Sequence, residues 1–235
     1  MKRSESRMLK NVLLRMQKSE GDYVAGKYKR EELKEMLHHS AFHVVANDGI
    51  EGLTVRKVVK GCGLSDPYIY RCYSDLDDLM RTAFLEIDEE IARILQQKME
   101  KCQIDSPEKI EKSCDLLWNA YWQFLLEDPD KTVFYWRFYQ SGYFDQEIQE
   151  ERRKCFRSFV EFVQKAAEKI HLNQPADRMT TVLCIKDSTL SMAVKINQGW
   201  VKREDVSKEA VYGSVFSYLM HLMGMDIWQV IRQKE

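Results

Sequence analysis

Residues 54–79, with the sequence TVRKVVKGCGLSDPYIYRCYSDLDDL, constrain the fold more than any other part of this 235-residue chain. Thr54 is a favoured N-cap residue, and aliphatic side chains follow it at helical spacing to about Lys60. A glycine-containing turn, GCGL, ends this helix, and Ser65 caps a second one that we expect to run to about Tyr73. Two short helices joined by such a turn form a helix-turn-helix, a motif that places its second helix in the major groove of DNA.

A third helix is predicted before this pair. Its apolar and small residues repeat at helical spacing and are Leu33, Met36, Leu37, Ser40, Ala41, Val44 and Val45. The pattern stops at Asp48 and Gly49, where glycine is a favoured residue for ending a helix. The sequence therefore predicts a three-helix domain at residues 29–75, preceded by a basic extension at residues 1–28.

The remaining residues, 76–235, are predicted to form a larger helical domain. The whole chain has only four prolines and ten glycines, and no segment alternates like a strand. Ser106 and Asp128 each precede a proline, a pairing that opens helices. Further helices are expected at residues 76–102 and 145–170, from Pro175 to about Trp200, and from Val206. We therefore predict an all-α protein.

Positive charge is concentrated near the N terminus, although the whole chain has a formal net charge of −1. Residues 1–30 hold nine bases and three acids, a net charge of +6, whereas residues 31–81 hold six bases and nine acids, a net charge of −3. Because counterion release supplies much of DNA affinity, the helix-turn-helix alone should attract DNA weakly. Residues 1–27 form either an arm that tracks the DNA backbone or enters the minor groove, or a partly helical extension that docks on the protein.

A spaced set of residues within positions 30–80, the first third of the chain, consists of Ser40-Ala41, Val45-Ala46, Gly49, Thr54, the turn Gly63-Leu64-Ser65, Tyr70, Tyr73 and Asp77-Asp78-Leu79. By the positions of these residues, the segment resembles the N-terminal DNA-binding domain of the TetR family of bacterial regulators. The resemblance implies a three-helix DNA-binding domain followed by a helical domain for ligand binding and dimerisation.

Six residues are candidates for contact with double-stranded DNA: Thr54, Arg56, Ser65, Tyr68, Tyr70 and Arg71. Helix caps and N-termini tend to meet phosphates, while side chains in the middle of a reading helix reach base edges. We therefore expect Thr54 and Arg56 to hold the backbone, Ser65 to mark the start of the reading helix, and Tyr68 and Arg71 to read bases. The resemblance gives Tyr70 the role of a tyrosine that meets the backbone. The alternative is a co-regulator of the same fold that has lost DNA binding and contacts a protein partner.

Aromatic residues are much denser between Trp118 and Phe144 than in the whole chain, where they make up 11%. Trp and Tyr combine a large apolar body with a polar tip, which suits the lining of a ligand pocket. The candidates for this pocket are Trp118, Tyr121, Trp122, Phe134, Phe138 and Tyr139. Packing in an aromatic core is the alternative for each of them. The expected ligand is small and apolar or aromatic.

The helix predicted from Val206 is apolar on two faces, so one face can pack inward and the other on a second subunit. The candidate residues for a homodimer interface are Val211, Val215, Tyr218, Leu222 and Met225. The resemblance implies the same arrangement, because family members dimerise through their last two long helices. A two-fold dimer places its reading helices about 34–36 Å apart on a near-palindromic operator.

Other functional classes have little support in the sequence. GxSxG, HExxH and glycine-rich phosphate loops are absent, so we do not expect an enzyme. His39 and His43 have a spacing that can bind a metal, but no third ligand stands at matching spacing, and we expect neither a metal nor a cofactor. Without an apolar signal region or a membrane-length apolar segment, the expected location is the cytoplasm.

These features predict a dimeric, ligand-responsive, one-component transcriptional regulator. Repression that is relieved by ligand is the commoner mode in the family that the chain resembles.

Overall fold

The computed structural model describes residues 28–170, 172 and 175–226. In that part of the chain every regular element is helical, which confirms the predicted all-α class. The α-helices are α1 (Arg30–Asp48), α2 (Val55–Gly61), α3 (Leu76–Met99), α4 (Pro107–Glu127), α5 (Pro129–Tyr139), α6 (Gln146–Cys155), α7 (Arg157–Lys169), α8 (Pro175–Asn197) and α9 (Lys208–Leu222). Two short 3₁₀ helices cover Asp66–Arg71 and Arg203–Asp205.

The chain divides into two compact units, Met1–Met80 (unit 1) and Arg81–Glu235 (unit 2). The sequence-based boundary lay at residues 75 and 76, whereas the division falls inside α3, after its first five residues. Apart from Tyr28, the basic extension predicted at residues 1–28 lies outside the described residues.

In unit 1 the predicted boundaries of the first two helices hold closely. α1 ends at Asp48, and Gly49 follows with a φ of +83°, a left-handed conformation that favours glycine. The hydroxyl oxygen of Thr54 accepts a 3.3 Å hydrogen bond from the backbone N–H of Lys57, so Thr54 caps α2 as predicted. Gly63, with a φ of +66°, makes the turn after α2.

The second helix of the predicted pair is shorter and tighter than expected. It is a 3₁₀ helix at Asp66–Arg71 instead of an α-helix to about Tyr73. Ser65 occupies the N-cap position, but its side chain makes no capping hydrogen bond there. Tyr68, Ile69 and Tyr70, which follow Pro67, are aromatic or β-branched residues with weak α-helix propensity, and short 3₁₀ helices are common where an α-helix is not favoured.

In unit 2 two predicted helix starts are found where the caps placed them. Ser106 accepts a hydrogen bond from the N–H of Lys109 at 3.4 Å and caps α4. Asp128 accepts one from the N–H of Lys131 at 3.0 Å and caps α5.

Two other predictions for unit 2 need correction. The helix expected over residues 145–170 is broken at Phe156, whose φ of −92° and ψ of 11° leave the α-helical region, so α6 and α7 are separate. The last long helix begins at Lys208 instead of Val206, because the hydroxyl of Ser207 accepts a hydrogen bond from Ala210 and forms the cap.

The core of unit 2 is built around α8, which packs against α4, α5 and α9. Aromatic rings fill the part between α3 and α5, where Phe84 stacks on Tyr135 and Phe138 at centroid distances of 5.0 and 4.4 Å. All three side chains are fully buried. Within the described residues, no helix combines the length and apolar character needed to cross a membrane.

Candidate functional site

In unit 1 the predicted DNA-contacting residues lie at the surface. Thr54, Arg56 and Arg71 are exposed, and Ser65 and Tyr68 are partly buried. The guanidinium of Arg71 lies over the Tyr68 ring, with its Cζ atom 5.4 Å from the ring centroid. A cation held over an aromatic face is oriented while remaining accessible to water and other partners.

Tyr70 is the most exposed of these aromatic side chains, at 59%. Its neighbour Ile69 is fully buried, so the 3₁₀ helix is anchored on one side and projects Tyr70 from the other. A large aromatic residue with a hydroxyl tip that is held out from a rigid element can contact a partner through both its ring and its hydroxyl.

Three of the nine acids in residues 31–81 have structural roles around the motif. Asp48 accepts a 2.8 Å ion-pair hydrogen bond from Lys57, which lowers the pKa of the Asp48 carboxyl. Asp75 accepts a hydrogen bond from the N–H of Asp78 at 2.8 Å near the start of α3. Asp78 in turn accepts one from the N–H of Ser74 at 2.8 Å.

The motif itself has the opposite sign from its surroundings. Between Thr54 and Arg71 the chain has four bases, at Arg56, Lys57, Lys60 and Arg71, and one acid, at Asp66. Its net charge is therefore +3, although residues 31–81 together have a net charge of −3. The negative net charge of residues 31–81 therefore arises outside the motif, and residues 54–71 are a basic segment within that range.

The histidines of α1 are used within unit 1. His38 is buried, and its Nε2 atom lies 2.7 Å from the hydroxyl oxygen of Tyr73. His43 lies on the exposed side of α1, where its ring nitrogen is 3.4 Å from the amide of Asn47. Across the described residues, no group of three or more His, Cys, Asp or Glu side chains could hold a metal ion.

In unit 2 the two candidate tryptophans stack on each other. The Trp118 and Trp122 rings are 5.5 Å apart between centroids, with an angle of 12° between their planes. The indole N–H of Trp118 donates a 3.0 Å hydrogen bond to the hydroxyl of Thr189 on α8, and Tyr212 on α9 packs edge-on against the same indole at 5.3 Å. Both tryptophans are buried.

Phe134 and Phe138 lie deeper than the other candidates for the ligand pocket. Both are fully buried, and Phe138 stacks on Phe84 within the aromatic core. Tyr121 and Tyr139 are partly buried.

A buried polar network, absent from the sequence-based expectations, connects α3, α5 and α6. The carboxylate of Asp88 is fully buried and accepts a 2.7 Å hydrogen bond from the hydroxyl of Tyr135. Nη1 of Arg152 donates to the Tyr135 oxygen at 2.8 Å and forms an ion pair with Asp88 at 3.1 Å. Burial raises the pKa of Asp88, while Arg152 and Tyr135 oppose that shift.

Beside this network, two cationic side chains, Lys186 and Arg152, make cation–π contacts with the ring of Tyr139. Nζ of Lys186, on α8, lies 3.7 Å from the Tyr139 ring centroid, and Cζ of Arg152 lies 5.6 Å from it. Lys186 also forms an ion pair with the adjacent Asp187 at 2.9 Å. The Arg152 and Lys186 side chains are only 17% and 16% exposed.

Four of the residues predicted for a dimer interface lie on α9, whereas Met225 lies beyond the end of that helix at Leu222. The predicted residues differ in exposure. Val211 is buried, and Val215 and Met225 are partly buried. Tyr218 and Leu222, one turn apart, are exposed. The neighbouring helix α8 has a similar exposed pair, Met179 and Leu183, which the sequence-based reasoning did not single out. In the sequence, each pair is visible as two apolar residues four positions apart, which places them on one face of a helix.

Comparison with known proteins finds similarity only at the level of structure. No protein-family model matches the sequence, and neither does any curated protein. The solved structures that match include a putative transcriptional regulator from Pseudomonas aeruginosa PAO1, with a TM-score of 0.64 and 14% sequence identity over 86% of this chain and 96% of that chain. A TetR-family transcription regulator from Marinobacter aquaeolei VT8 matches with a TM-score of 0.58 and 15% identity, over 84% and 94% of the two chains.

The transcriptional regulator FadR from Bacillus subtilis, solved in complex with stearoyl-CoA, is also similar. Its TM-score is 0.57 and its sequence identity is 15%, over 79% of this chain and 96% of that chain. All three matched proteins are described as transcriptional regulators, and none as an enzyme. The chain therefore has the fold of TetR-family regulators, which confirms the resemblance predicted from its sequence at the level of fold.

Proposed function

We propose that this protein is a dimeric one-component transcriptional regulator that binds a near-palindromic DNA operator and responds to a small ligand. The observation that carries the proposal is the basic helix-turn-helix of unit 1, with a net charge of +3 between Thr54 and Arg71. Nearby acids such as Asp48 and Asp75 are engaged in an ion pair and a helix cap, so they oppose DNA less than their number implies.

The proposed contacts follow from the exposure of each side chain. Arg56 and the capped start of α2 at Thr54 meet phosphates, because exposed bases and helix N-termini attract anions. Tyr70 meets the DNA backbone. Arg71, held over Tyr68, reaches a base edge, where arginine recognises guanine with two hydrogen bonds.

The ligand is proposed to bind in unit 2, near the partly buried Tyr121 and Tyr139 and the stacked pair Trp118 and Trp122. The fold supports this proposal, since the similar FadR from Bacillus subtilis was solved with stearoyl-CoA. α3 begins at Leu76 in unit 1 and continues into unit 2, which makes it the proposed route between the two sites. The ligand must bind two states of the protein with different affinities, and we propose that it relieves repression.

Dimerisation is proposed through α8 and α9. These helices pack on each other, and each leaves one apolar pair exposed, Met179 with Leu183 and Tyr218 with Leu222. Large apolar side chains that remain exposed at helical spacing on neighbouring helices are typical of a protein interface. A two-fold dimer then presents two copies of the reading motif to the operator.

Selection of binding sites from random DNA duplexes tests the DNA-binding function. Purified full-length protein at low salt should enrich a near-palindromic sequence with half-sites one helical turn apart. Arg71→Ala should relax the preference at one position of each half-site, at a cost of about 1–3 kcal/mol in binding free energy. Arg203→Ala, a change at an exposed base of unit 2, is the matched control and should enrich the same sequence.

The co-regulator alternative predicts a different result in the same experiment. If no sequence is enriched even at low salt, DNA binding is excluded and the protein acts through a protein partner. The net charge of +3 over residues 54–71 favours the DNA-binding function over this alternative, because a basic surface attracts the phosphates of DNA.

A further inference from the structure

The hydroxyl group of Tyr121 is buried, and among the residues that the structure describes it has no hydrogen-bond partner. Buried hydroxyls are nearly always paired, since an unpaired one loses its hydrogen bonds to water without replacement. The groups that act on Tyr121 electrostatically are Arg152, Asp88, Asp187 and Tyr139. A buried, unpaired donor that also interacts electrostatically with an arginine is a candidate site for an acceptor supplied by a bound molecule.

Arg152 and Lys186 bring further donors to the same place. Within the described part of the chain, the hydrogen bonds of Arg152 all use Nη1, so Nε and Nη2 remain for another acceptor. Lys186 is fixed over the Tyr139 ring and uses one of its three donors on Asp187. Both cations are largely withdrawn from water, where their attraction for a negative charge is stronger than at the surface.

Two acids, Asp88 and Asp187, pair with Arg152 and Lys186 and could compete with a bound anion for their N–H groups, but their surroundings differ. The carboxylate of Asp88 accepts a hydrogen bond from Tyr135 and pairs with Nη1 of Arg152, and these two contacts fix its position. Asp187 has a half-exposed side chain and pairs with Lys186 from the solvent side of α8. Arg152 and Lys186 both lie at the Tyr139 ring, and the unpaired hydroxyl of Tyr121 interacts electrostatically with Arg152 and Tyr139. The two nearby carboxylates, Asp88 and Asp187, are already engaged or exposed.

We propose that Tyr121, Arg152 and Lys186 bind the anionic group of the ligand, which is an apolar molecule that carries a carboxylate, phosphate or sulfonate. This inference rests on the proposed ligand response of unit 2. Trp118 and Trp122 flank Tyr121 on α4 and provide the apolar surroundings that the rest of such a molecule needs. The ligand class is thus an amphipathic anion instead of a neutral aromatic compound.

Two dyes with the same ring system test the proposal with the full-length protein. 8-Anilinonaphthalene-1-sulfonate carries a sulfonate, and N-phenyl-1-naphthylamine has the same rings without it. Fluorescence titration should show tighter binding of the anion. Tyr121→Phe, which removes one oxygen atom, should weaken binding of the anion about 10- to 100-fold, as expected for one charge-assisted hydrogen bond, and leave the neutral dye unchanged.

Lys186→Gln should weaken binding of the anion by a similar factor, whereas Lys202→Gln, at an exposed lysine of the same unit, is the matched control. Tyr121→Phe should also unfold at the same temperature as the parent protein or a higher one, because it removes an unpaired buried group. Equal binding of the two dyes, or anion binding that is unchanged in both Tyr121→Phe and Lys186→Gln, overturns the proposal. The titration uses no DNA, so its failure is distinct from failure to enrich an operator.

Discussion

A Cβ atom at Gly61 would lie 2.1 Å from the Oγ atom of Ser40, so α1 and the end of α2 meet at a point with no room for a side chain. The same Ser40 hydroxyl donates a 2.7 Å hydrogen bond to the backbone oxygen of Val58. These two relationships fix α2 on α1 and thereby fix the position of the exposed side chains that the helix-turn-helix presents. In the sequence Gly61 indicated only the end of a helix.

Gly61→Ala should destabilise unit 1 by about 1–3 kcal/mol, the usual cost of forcing an extra methyl group into a packed contact. Either Ser40 rotates and gives up its hydrogen bond, or the two helices move apart. Chemical unfolding followed by circular dichroism measures the loss. In a Ser40→Ala background the same substitution should cost less, because the clashing oxygen is gone. Strictly additive effects of the two changes would show that the contact does not set the cost.

Thr189→Val should destabilise unit 2 by about 1–3 kcal/mol, because it leaves the buried indole N–H of Trp118 without an acceptor. Unfolding monitored by tryptophan fluorescence measures the change. Thr189→Ser is the control, since it keeps the hydroxyl and loses one methyl group, worth about 0.8 kcal/mol. Unchanged stability of Thr189→Val would mean that the hydrogen bond contributes nothing measurable.

Helix starts in this chain were predictable because they depend on local chemistry. Thr54, Ser106 and Asp128 each accept a hydrogen bond from the N–H three residues ahead, and such contacts depend on a few consecutive residues. The break at Phe156 was not predictable in this way. No proline or glycine marks it, and the ring of Phe156 instead packs against Arg152, whose Cζ atom is 5.1 Å from the ring centroid.

The polar network of unit 2 could not be predicted, because its members are far apart in sequence. Asp88 and Arg152 are separated by 64 residues and meet only once α3 and α6 have packed. One partial signal was present. Asp88 stands four residues after Phe84 and three before Ile91, so an acid occupies the apolar face of a helix, where a charge needs a partner. The sequence indicates that a partner exists, and only the fold identifies it.

Cys62 provides a test at alkaline pH. Burial raises the pKa of its thiol from 9.0 to about 11, with the hydroxyl of Ser40 opposing the shift. A thiol whose pKa is higher in the folded than in the unfolded state contributes its full stability below the unfolded value and loses it as the pH rises through the folded value. The parent protein should therefore lose stability relative to Cys62→Ala between about pH 9 and 11. Parallel pH profiles for the two proteins would contradict the assignment.

The proposed dimer interface predicts that Tyr218→Glu combined with Leu222→Glu yields a monomer. Each substitution places a charge in an apolar contact, where an unpaired carboxylate is poorly tolerated. Light scattering coupled to size-exclusion chromatography measures the mass. Trp200→Glu is the control, because Trp200 is a still more exposed aromatic residue outside α8 and α9 and its replacement should leave the dimer intact. If the double variant remains dimeric, the subunits meet through another surface.

Residues 1–27, which lie outside the described residues, are proposed to act as a DNA-tracking arm. They contain seven bases, and each phosphate that such a base contacts adds about 0.9 to the slope of log affinity against log salt. Deleting the arm should therefore flatten the salt dependence of operator binding. Two full-length variants separate the arm from an extension that docks on the protein. Replacing the seven bases by glutamine should flatten the slope as the deletion does, whereas replacing the apolar residues Leu9, Val12, Leu13 and Met16 by serine should not. If the serine variant flattens the slope and the glutamine variant does not, residues 1–27 pack on the protein, and the helix-turn-helix alone contacts phosphates.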